Sequence, residues 1–423
     1  MDWLDEHNCH QRQIKMQKGG KMKTKRFLRI FIILVIGIIF ALNTSAVVAG
    51  DTFKIGVIAP FKTSLGESVL NGASLAVKDI NAQGGILGKQ VELIMANTEF
   101  KPEKGAMAYK KLVLNDKCNV VLGTCSSGVS KAVMDQMARY KTIFISTGAA
   151  SPALSGLVAS NRDKYKYWFR IMCTSKDISN TILSFIYDVP FKQHGAKRIA
   201  IMAENALWTR DLVDEAKVVL KEQGMEIVYS ELFDVQTKDF TTILTKIADS
   251  KADFIYELSA HVDSSTYIKQ WHDLKGAPIG GDSGAAQAER YWYDSNGKCV
   301  SETVNAFGGS FPVAETPKTI PFFNHYKAEF KTAPGYGSGY TYDAVFVYKN
   351  AVEKAKSTDS EILVPIIEKT DYIGVSGHVE FTQNHDPKHY GKMPMVQWRE
   401  GNKREVVWPP NLATSEFQLP SWK

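Results

Sequence analysis

Short apolar strand segments alternate with longer helical segments along most of this chain, and they do so in two separate sets. The first set covers residues 53–146 and the second covers residues 198–280. Strands that alternate with helices form parallel sheets whose two faces are covered by helices. The sequence therefore predicts an α/β fold with two doubly wound parallel-sheet lobes.

Apolar residues at helical spacing identify the helices of both sets. Between the first two strands, Val69, Ala73, Ala76 and Ile80 form one such stripe, and Gly84 follows it as a helix stop. The predicted elements, in chain order, are strand 53–59, helix 66–83, strand 91–95, helix 102–115, strand 120–123, helix 128–140, strand 143–146, strand 198–202, helix 208–223, strand 226–229, helix 240–250, strand 253–258, helix 264–274 and strand 278–280.

Most of the chain's positive charge lies in its first 49 residues. They contain eight basic and three acidic side chains, so the formal net charge falls from +6 to +1 without them. A protein that binds nucleic acid normally presents a basic face that releases counterions from the phosphates. The sequence therefore gives no reason to expect a nucleic-acid partner.

Residues 1–49 have the order of a secretory signal peptide. Five basic residues at 21–29 precede an uncharged apolar run of 13 residues at 30–42, and small residues end at Ala49. The run is shorter than the about 20 residues that a membrane-spanning helix needs. We expect cleavage after Ala49 and an exported protein, in the periplasm or on the cell exterior. A retained membrane anchor and a start at Met22 are the alternatives left open.

Export permits disulfides, and four cysteines follow the leader: Cys118, Cys125, Cys173 and Cys299. Cys118 and Cys125 flank a predicted strand, which places them about 23 Å apart. A disulfide needs Cα atoms within about 7 Å, so these two should not pair. The disulfide state of the four is otherwise left open.

Polar residues follow two neighbouring strands of the first set. Ser126 and Ser127 come after strand 120–123 and open the next helix, while Gly148 and Ser151 follow the next strand. Ligands of open α/β sheets lie beyond the carboxyl ends of the strands. Serine hydroxyls and free N–H groups at a helix start suit a carboxylate, although the serines could equally cap the helices. Two adjacent strand ends with this chemistry favour one shared site.

The remaining motifs indicate neither catalysis nor a metal site. The glycine-rich segment 335–339 does not follow a strand, so it is interpreted as a turn. Segment 281–284 (Gly-Asp-Ser-Gly) resembles the nucleophile segment of chymotrypsin-like proteases, but that fold is all-β. His385 and His389 have the spacing of a helical metal pair, but Pro387 interrupts the helix and favours a solvated loop. We therefore expect no enzyme, no metal and no cofactor.

Five segments carry a family resemblance. They are Ile55-Gly-Val-Ile-Ala-Pro60, Asn71-Gly-Ala with Asp79-Ile-Asn-Ala-Gln-Gly-Gly-Ile-Leu-Gly-Lys89, Cys125-Ser-Ser127, Ile145-Ser-Thr-Gly-Ala-Ala-Ser-Pro152 and Tyr340-Thr-Tyr-Asp-Ala-Val345. Over nearly all of residues 51–400 the chain resembles the leucine/isoleucine/valine-binding proteins, the periplasmic receptors of branched-chain amino acid ABC importers.

This resemblance implies a type I periplasmic binding protein, in which a three-segment hinge joins the two lobes. The hinge segments would lie near residues 170–175, 306–311 and 376–381. The N-terminal lobe would comprise 51–172 plus 310–378, and the C-terminal lobe 173–309 plus 379–423. The implied function is to capture a small-molecule ligand, an amino acid or an analogue, and to deliver it as a monomer to the permease subunits of an ABC importer.

The resemblance also implies a set of ligand contacts. Ser126 matches the serine that binds the α-carboxylate of the ligand, with the Ser127 N–H beside it. Asp282 matches the acid, usually Glu, that pairs with the α-ammonium, and Glu257 and Asp263 are nearby alternatives. The full set of implied contacts is Ser126, Ser127, Gly148, Ala149, Ala150, Ser151, Trp208, His261, Asp282 and Leu65.

Several contact positions depart from the family pattern. Ala150 replaces a common Thr, whose hydroxyl Ser151 would have to supply, and Trp208 replaces a Tyr. Either Ala260 or His261 occupies the region of a second Tyr. These departures make leucine, isoleucine and valine less favoured as ligands and favour larger aliphatic, aromatic or amide-type compounds.

Two further departures concern the edge of the site. Leu65 stands where an aromatic residue often covers the ligand, and Phe100 stands where the family has the disulfide partner of Cys125. A sensory or regulatory binding module of the same fold, of the amide-sensor type, is the alternative function, and a working export signal would exclude its cytoplasmic form.

Overall fold

A computed structural model describes residues 52–388 and 391–423 of the chain. The predicted signal peptide and His389 lie outside the described residues. In the part of the chain that is described, no helix is long and apolar enough to cross a membrane, and no group of three or more His, Cys, Asp or Glu side chains is placed to hold a metal ion.

The first sheet contains five parallel strands in the order β2-β1-β3-β4-β5. Its strands and helices are β1 (Phe53–Ala59), α1 (Ser64–Ala82), β2 (Val91–Asn97), α2 (Pro102–Leu114), β3 (Val120–Gly123), α3 (Ser127–Tyr140), β4 (Phe144–Ser146), α4 (Pro152–Ser160), α5 (Arg162–Tyr165) and β5 (Trp168–Arg170). The strand order reverses between β1 and β3, which is where doubly wound sheets bind ligands.

The second sheet has seven strands: five parallel strands in the order β7-β6-β8-β9-β10, and two more beside β10 that come from the last part of the chain. The elements from α6 to β10 are α6 (Ser175–Ile186), a π-helical turn (Tyr187–Phe191), β6 (Arg198–Glu204), α7 (Leu207–Glu222), β7 (Glu226–Phe233), α8 (Thr241–Asp249), β8 (Phe254–Ser259), α9 (Ser265–Asp273), β9 (Ile279–Ser283), a 3-10 turn (Ala285–Gln287), α10 (Tyr291–Asp294) and β10 (Thr303–Asn305). The predicted alternation is confirmed in both sets.

The last part of the chain adds elements that the sequence did not predict. They are α11 (Thr319–Phe330), α12 (Ser338–Ala355), α13 (Ser360–Ile367), β11 (Tyr372–Ile373), β12 (His378–Val379), β13 (Met395–Arg399) and β14 (Lys403–Trp408). β13 pairs antiparallel with β10, and β14 pairs antiparallel with β13. The second sheet is therefore parallel except for this edge hairpin.

The chain passes between the two sheets three times. After β5 it enters α6, which packs against β9 and β10 of the second sheet. After β10 it returns to α11 and α12, and α12 packs against α1 and β3 of the first sheet. It crosses again between β12 and β13. These crossings lie near the predicted hinge segments, and the exact lobe boundaries stay a prediction.

Local sequence explains α1 well. Val69, Ala73 and Ile80 of its predicted apolar stripe are completely buried. The Thr63 side chain caps the helix by accepting a hydrogen bond from Gly66 N at 3.1 Å. Gly85 follows the helix with φ +82°, and a Cβ there would lie 1.8 Å from the Lys89 carbonyl oxygen. Only glycine fits that turn.

Two loop predictions need correction. Tyr336 and Gly337 form the expected turn, but α12 already begins at Ser338, inside the glycine-rich segment. His385 is fully buried, so a solvated loop is wrong at this position. Its ring stacks on Phe169 with centroids 4.1 Å apart, and its Nδ1 bonds to the Trp168 carbonyl oxygen at 2.7 Å. Its Nε2 bonds to Glu368 Oε1 at 2.9 Å, so both ring nitrogens have partners, and burial lowers the pKa of His385.

All four described cysteines are free and buried. The prediction that Cys118 and Cys125 do not pair is therefore confirmed. Burial raises the pKa of Cys118 to about 12, which keeps its thiol protonated and unreactive.

Candidate functional site

One narrow buried cavity is lined by residues from both sheets. Its lining comprises Cys125, Ser127, Gly148, Ala150, Ile178, Trp208, Ala260, Asp282, Gly284 and Tyr336. Five of the predicted contacts are among these residues: Ser127, Gly148, Ala150, Trp208 and Asp282. Most of the lining follows or ends a parallel strand, as expected for the ligand side of such sheets.

Ser126 and Ser127 act differently at the start of α3. Ser126 is buried directly before the helix, and its side chain makes no capping hydrogen bond. The Ser127 hydroxyl oxygen accepts a hydrogen bond from Ser151 N at 3.1 Å and so joins the junctions after β3 and β4. The capping alternative therefore does not account for the Ser126 side chain.

Gly148 lies where a larger residue would not fit. A Cβ at this position would be 2.5 Å from the Thr124 carbonyl oxygen and 3.0 Å from Tyr336 Cε1. The Gly148 carbonyl oxygen accepts a hydrogen bond from the Tyr336 hydroxyl at 2.8 Å. Tyr336 thereby contributes to the cavity wall, although the sequence analysis treated it only as part of a turn.

Ala149 and Ser151 lie behind the cavity lining. The Ser151 hydroxyl oxygen accepts a hydrogen bond from Ala153 N at 3.3 Å and caps α4. The hydroxyl is therefore used in capping the helix and not at the Ala150 position. The carbonyl oxygens of Ala149 and Ser151 accept hydrogen bonds from Arg170 Nη1 at 3.0 and 2.8 Å. The buried Arg170 is thus a support for this loop.

Arg170, which was not predicted from the sequence, also pairs with Asp386. Arg170 Nε donates to Asp386 Oδ1 at 2.9 Å, and Nη2 binds the same oxygen. The feature of the sequence that could have indicated Arg170 is its position as the single basic residue at the end of β5, a short and otherwise aromatic strand. Its partner is 216 residues away in sequence, which local patterns do not reveal.

Trp208 and His261 share one carboxylate, that of Glu204. Trp208 Nε1 donates to Glu204 Oε1 at 2.8 Å, and His261 Nδ1 lies 2.5 Å from the same oxygen. The second carboxylate oxygen, Oε2, accepts from the backbone N–H groups of Ala260 and His261 at 2.9 and 2.8 Å. Glu204 ends β6 and was also missed. The feature of the sequence that could have indicated Glu204 is an acidic residue four positions before Trp208.

The environment of the Glu204–His261 pair favours its ionised form. Burial raises the pKa of Glu204, but the His261 charge and the hydrogen bonds that it accepts bring that pKa below its ordinary value. Burial likewise lowers the pKa of His261, but the Glu204 charge and hydrogen bond bring it above its ordinary value. Both shifts favour the charged forms, as expected for a close opposite-charge pair.

Asp282 is the carboxylate of the cavity itself. It is the penultimate residue of β9, and only 4% of its surface is exposed. Its Oδ1 accepts a hydrogen bond from Gln287 Nε2 at 3.3 Å. Burial raises the pKa of Asp282 well above its ordinary value, and the negative charges of Glu204 and Glu257 add to this shift. A cationic group placed beside it would reverse that effect.

The alternative acids do not share this position. Glu257 pairs with Gly281 in the sheet, one residue out of phase with Asp282, so it faces the opposite side. There it accepts a hydrogen bond from the Tyr267 hydroxyl at 2.5 Å. Asp263 is exposed at a neighbouring cavity. The structure therefore favours Asp282 over both.

An outer cavity adjoins the first one through Ala260. Leu65, Phe100 and His261 contribute to its lining. The Leu65 methyl groups lie 3.1 and 3.2 Å from where a Cβ on Gly284 would be, so Leu65 of the first sheet's α1 covers a residue of the second sheet. Leu65 and His261 thus lie at the edge of the inner cavity and not in its lining.

Comparison of the chain with known proteins shows the family to which it is related. A sequence profile described as periplasmic binding protein matches residues 52–403. A Leu/Ile/Val-binding protein homolog 2 of Brucella abortus is 27% identical over 356 residues, covering 82% of this chain and 90% of that protein. Leu/Ile/Val-binding protein BraC3 of Rhizobium johnstonii is 28% identical over 321 residues, with coverages of 74% and 82%.

Solved structures agree on the fold. The branched-chain amino acid transporter substrate-binding protein LivJ of Streptococcus pneumoniae, in complex with isoleucine, has a TM-score of 0.72 at 24% identity, covering 85% of this chain and all of that one. A solute-binding protein of R. palustris, in complex with benzoate, has a TM-score of 0.72 at 17% identity, with coverages of 84% and 96%.

Proposed function

Because the chain belongs to the periplasmic binding protein family, we propose that it is an exported solute-binding protein that captures an amino acid or a related small carboxylate or amide between two lobes. It delivers this ligand to the permease subunits of an ABC importer and acts as a monomer. Residues 1–49 serve as its signal peptide. The protein is not an enzyme, and its binding needs no cofactor.

The observation that carries the proposal is the shared lining of the inner cavity. Ser127 and Gly148 follow strands of the first sheet, whereas Trp208 and Asp282 belong to elements of the second. A ligand held by both groups stabilises the arrangement in which the two sheets approach each other. This is the hinge-closing response of a binding protein, in which a few connecting segments absorb the movement.

The charges of the cavity favour a ligand that carries both a carboxylate and an ammonium group. Ser126, Ser127 and the start of α3 offer hydroxyl and N–H donors to an anion. Asp282 offers an acceptor whose ionisation is unfavourable until a cation is near. An unpaired charge in a closed cavity is very costly, so an ammonium group and Asp282 stabilise each other. Trp208 and Tyr336 add flat apolar surface for an unsaturated or large side chain.

A thermal-shift screen tests the proposal on the processed protein. The panel contains L-leucine, L-isoleucine, L-phenylalanine, L-glutamine, acetamide and benzoate. A compound at 100 times its dissociation constant should stabilise the fold by about 2.7 kcal/mol. We expect at least one amino acid to raise the melting temperature, and benzoate to have a weaker effect. If no amino acid, amide or carboxylate shifts the transition, the proposed ligand class is wrong.

Two further measurements test location and closure. N-terminal sequencing of the exported protein should begin near residue 50, and a start before residue 40 would contradict cleavage of the leader. Small-angle scattering should give a smaller radius of gyration with the best compound of the panel than without it. An unchanged radius at saturation would exclude capture by lobe closure.

A further inference from the structure

We propose that Glu204 is a positioning residue for ligand recognition, which fixes the Trp208 indole in the cavity wall and the His261 imidazole at the cavity edge. The inference rests on the proposed function, because it assigns Glu204 a part in the same site. Glu204 is completely buried at the end of β6.

The hydrogen bonds of Glu204 leave it little capacity to bind a ligand directly. Its Oε1 accepts from Trp208 Nε1 at 2.8 Å and bonds to His261 Nδ1 at 2.5 Å. Its Oε2 accepts from two backbone N–H groups, those of Ala260 and His261. Four donors thus share one carboxylate, which is near the capacity of its two oxygens. Glu204 therefore acts through the groups that it holds.

One of these groups forms part of the inner cavity wall. The Trp208 side chain is buried, and its residue lines the cavity beside Asp282. An indole has one polar atom, its N–H, and that atom is bound to Glu204. Ala260, whose N–H also bonds to Glu204, lines both the inner and the outer cavity. The position of two lining residues therefore depends on one carboxylate.

The second group joins the two sheets at the cavity edge. The His261 ring contacts the Phe100 ring in an edge-to-face arrangement, with centroids 4.7 Å apart and planes at 68°. Phe100 lies in the loop after β2 of the first sheet, and His261 follows β8 of the second. Such pairs contribute about 0.5–1.5 kcal/mol beyond their burial. The contact therefore favours the closed arrangement of the site.

The backbone at Phe100 adopts an energetically unfavourable conformation. Glu99 and Phe100 have φ values of +49° and +58°, a region that residues with bulky side chains rarely adopt. Lys101 N donates to the Thr98 carbonyl oxygen at 2.8 Å and closes this turn. Strain of this kind persists where the surrounding structure requires it, and here the turn places the Phe100 ring against His261.

The charge of His261 depends on Glu204 more than on its other neighbours. The outer cavity also contains Lys62, Asp263, Arg290 and Asp294. Arg290 Nε is paired with Asp294 at 2.9 Å, and Lys62 and Asp263 are exposed. Glu204 is the charged group that bonds to the imidazole, and it keeps the pKa of His261 above the ordinary value against the effect of burial.

Proton NMR titration of the ligand-free protein tests the positioning role without any ligand. The His261 signal is assigned by its loss in His261→Gln. We expect a wild-type pKa above 6.5, and a pKa below 6.5 in Glu204→Gln, because burial then acts alone. Glu302→Gln is the matched control, since it replaces another fully buried acid, directly before β10 of the same sheet, and should leave the His261 pKa unchanged. A wild-type pKa at or below 6.5 would overturn the proposal, whether or not Glu204→Gln folds.

Calorimetric titration with L-leucine and L-phenylalanine tests the effect on recognition. Glu204→Gln should weaken the binding of these probes at least tenfold, and Phe100→Ala, which changes a partly exposed loop, should weaken it about threefold or more. Glu302→Gln should stay within twofold of wild type. If wild type binds a probe, and Glu204→Gln and Phe100→Ala both bind it with unchanged affinity, then Glu204 has only a structural role. That result would overturn the proposal. If neither probe binds wild type, leucine and phenylalanine are not ligands of this site, while the His261 titration still decides the role of Glu204.

Discussion

The Tyr336 hydroxyl donates a hydrogen bond to the Gly148 carbonyl oxygen at 2.8 Å, across 188 residues of sequence. The Tyr336 ring also packs edge-to-face on Phe307, with centroids 4.7 Å apart. Three distant segments therefore meet at one wall of the cavity: the turn after β4, the chain after β10 and the turn before α12. The shape of the ligand site depends on this meeting point as much as on the residues that line it.

Gly148→Ala should destabilise the protein and alter the cavity. The new Cβ would lie 2.5 Å from the Thr124 carbonyl oxygen and 3.1 Å from Cys125 Cα, so the backbone must move. Overpacking of this kind costs about 1–3 kcal/mol, measurable as a lower free energy of unfolding in urea. Gly156→Ala is the control, because a Cβ there meets nothing within 4 Å and alanine favours the helix. Equal stability of the two variants would contradict this packing argument.

Asp282→Asn should weaken the binding of an amino acid and stabilise the empty protein. The loss of a buried charge partner costs about 2–5 kcal/mol, which corresponds to roughly 30-fold or more in affinity. Benzoate, which has no ammonium group, should bind the variant about as well as wild type. Calorimetry measures both, and an amino-acid affinity within threefold of wild type would mean that no ammonium contacts Asp282.

Asp282→Asn should also change how the stability of the protein depends on pH. Burial raises the pKa of Asp282, so the folded state holds its proton at pH values where the unfolded state has lost it. The contribution of Asp282 to the stability of ligand-free wild type should therefore fall as the pH rises above about 4, the pKa of an unfolded aspartate. Asp282→Asn removes this contribution, and urea unfolding at pH 5 and pH 8 should show a smaller difference than in wild type.

The buried carboxyl groups of Glu257 and Glu302 should add to the pH dependence of stability. Burial raises the pKa of Glu257 to about 7, and burial together with the Glu257 charge raises that of Glu302. Raised carboxyl pKa values stabilise the fold at low pH, and this stability is lost as the pH rises through them. Glu302→Gln should therefore be more stable than wild type at pH 8 by about 1–3 kcal/mol. The exposed Glu103→Gln is the control, and identical pH profiles of wild type and Glu302→Gln would refute the pairing.

Arg170→Met should destabilise the fold strongly and disturb the loop that contains Ala150. It leaves the carboxylate of Asp386 and the carbonyl oxygens of Ala149 and Ser151 without their donor. Breaking a buried pair costs about 3–5 kcal/mol, and Arg170→Lys should not restore it, because lysine lacks the planar fork. Lys78→Met, which breaks the exposed pair with Glu329, should cost under about 1 kcal/mol. Similar losses in Arg170→Met and Lys78→Met would contradict a supporting role for Arg170.

Local patterns were enough to predict the sheets and part of the site. The apolar stripe of α1 and the strand runs of both sets appear in the structure with ends shifted by a few residues. Ser127 and Gly148 were predicted because each follows a parallel strand, and parallel strands present their carboxyl ends on one side. Asp282 was predicted from the family resemblance. Patterns of this kind extend over a few residues and can be recognised in a sequence.

Long-range partners were not predictable in the same way. The sequence placed His385 in a solvated loop, whereas Phe169 and Trp168 enclose it in the fold. It also missed the β13–β14 hairpin, which joins the second sheet in an antiparallel direction. Neither feature has a local signature, because each depends on residues that are distant in the chain.

The sequence by itself determined the fold class, the two sets of alternating elements and the strand ends that border the candidate site. The tertiary structure alone decided how that site is built. It placed Glu204 between Trp208 and His261, set Phe100 against His261 and brought Tyr336 to Gly148. The physical reason is that hydrophobic periodicity is a local property of the chain, whereas the pairing of buried polar groups is settled only when both sheets are folded and packed.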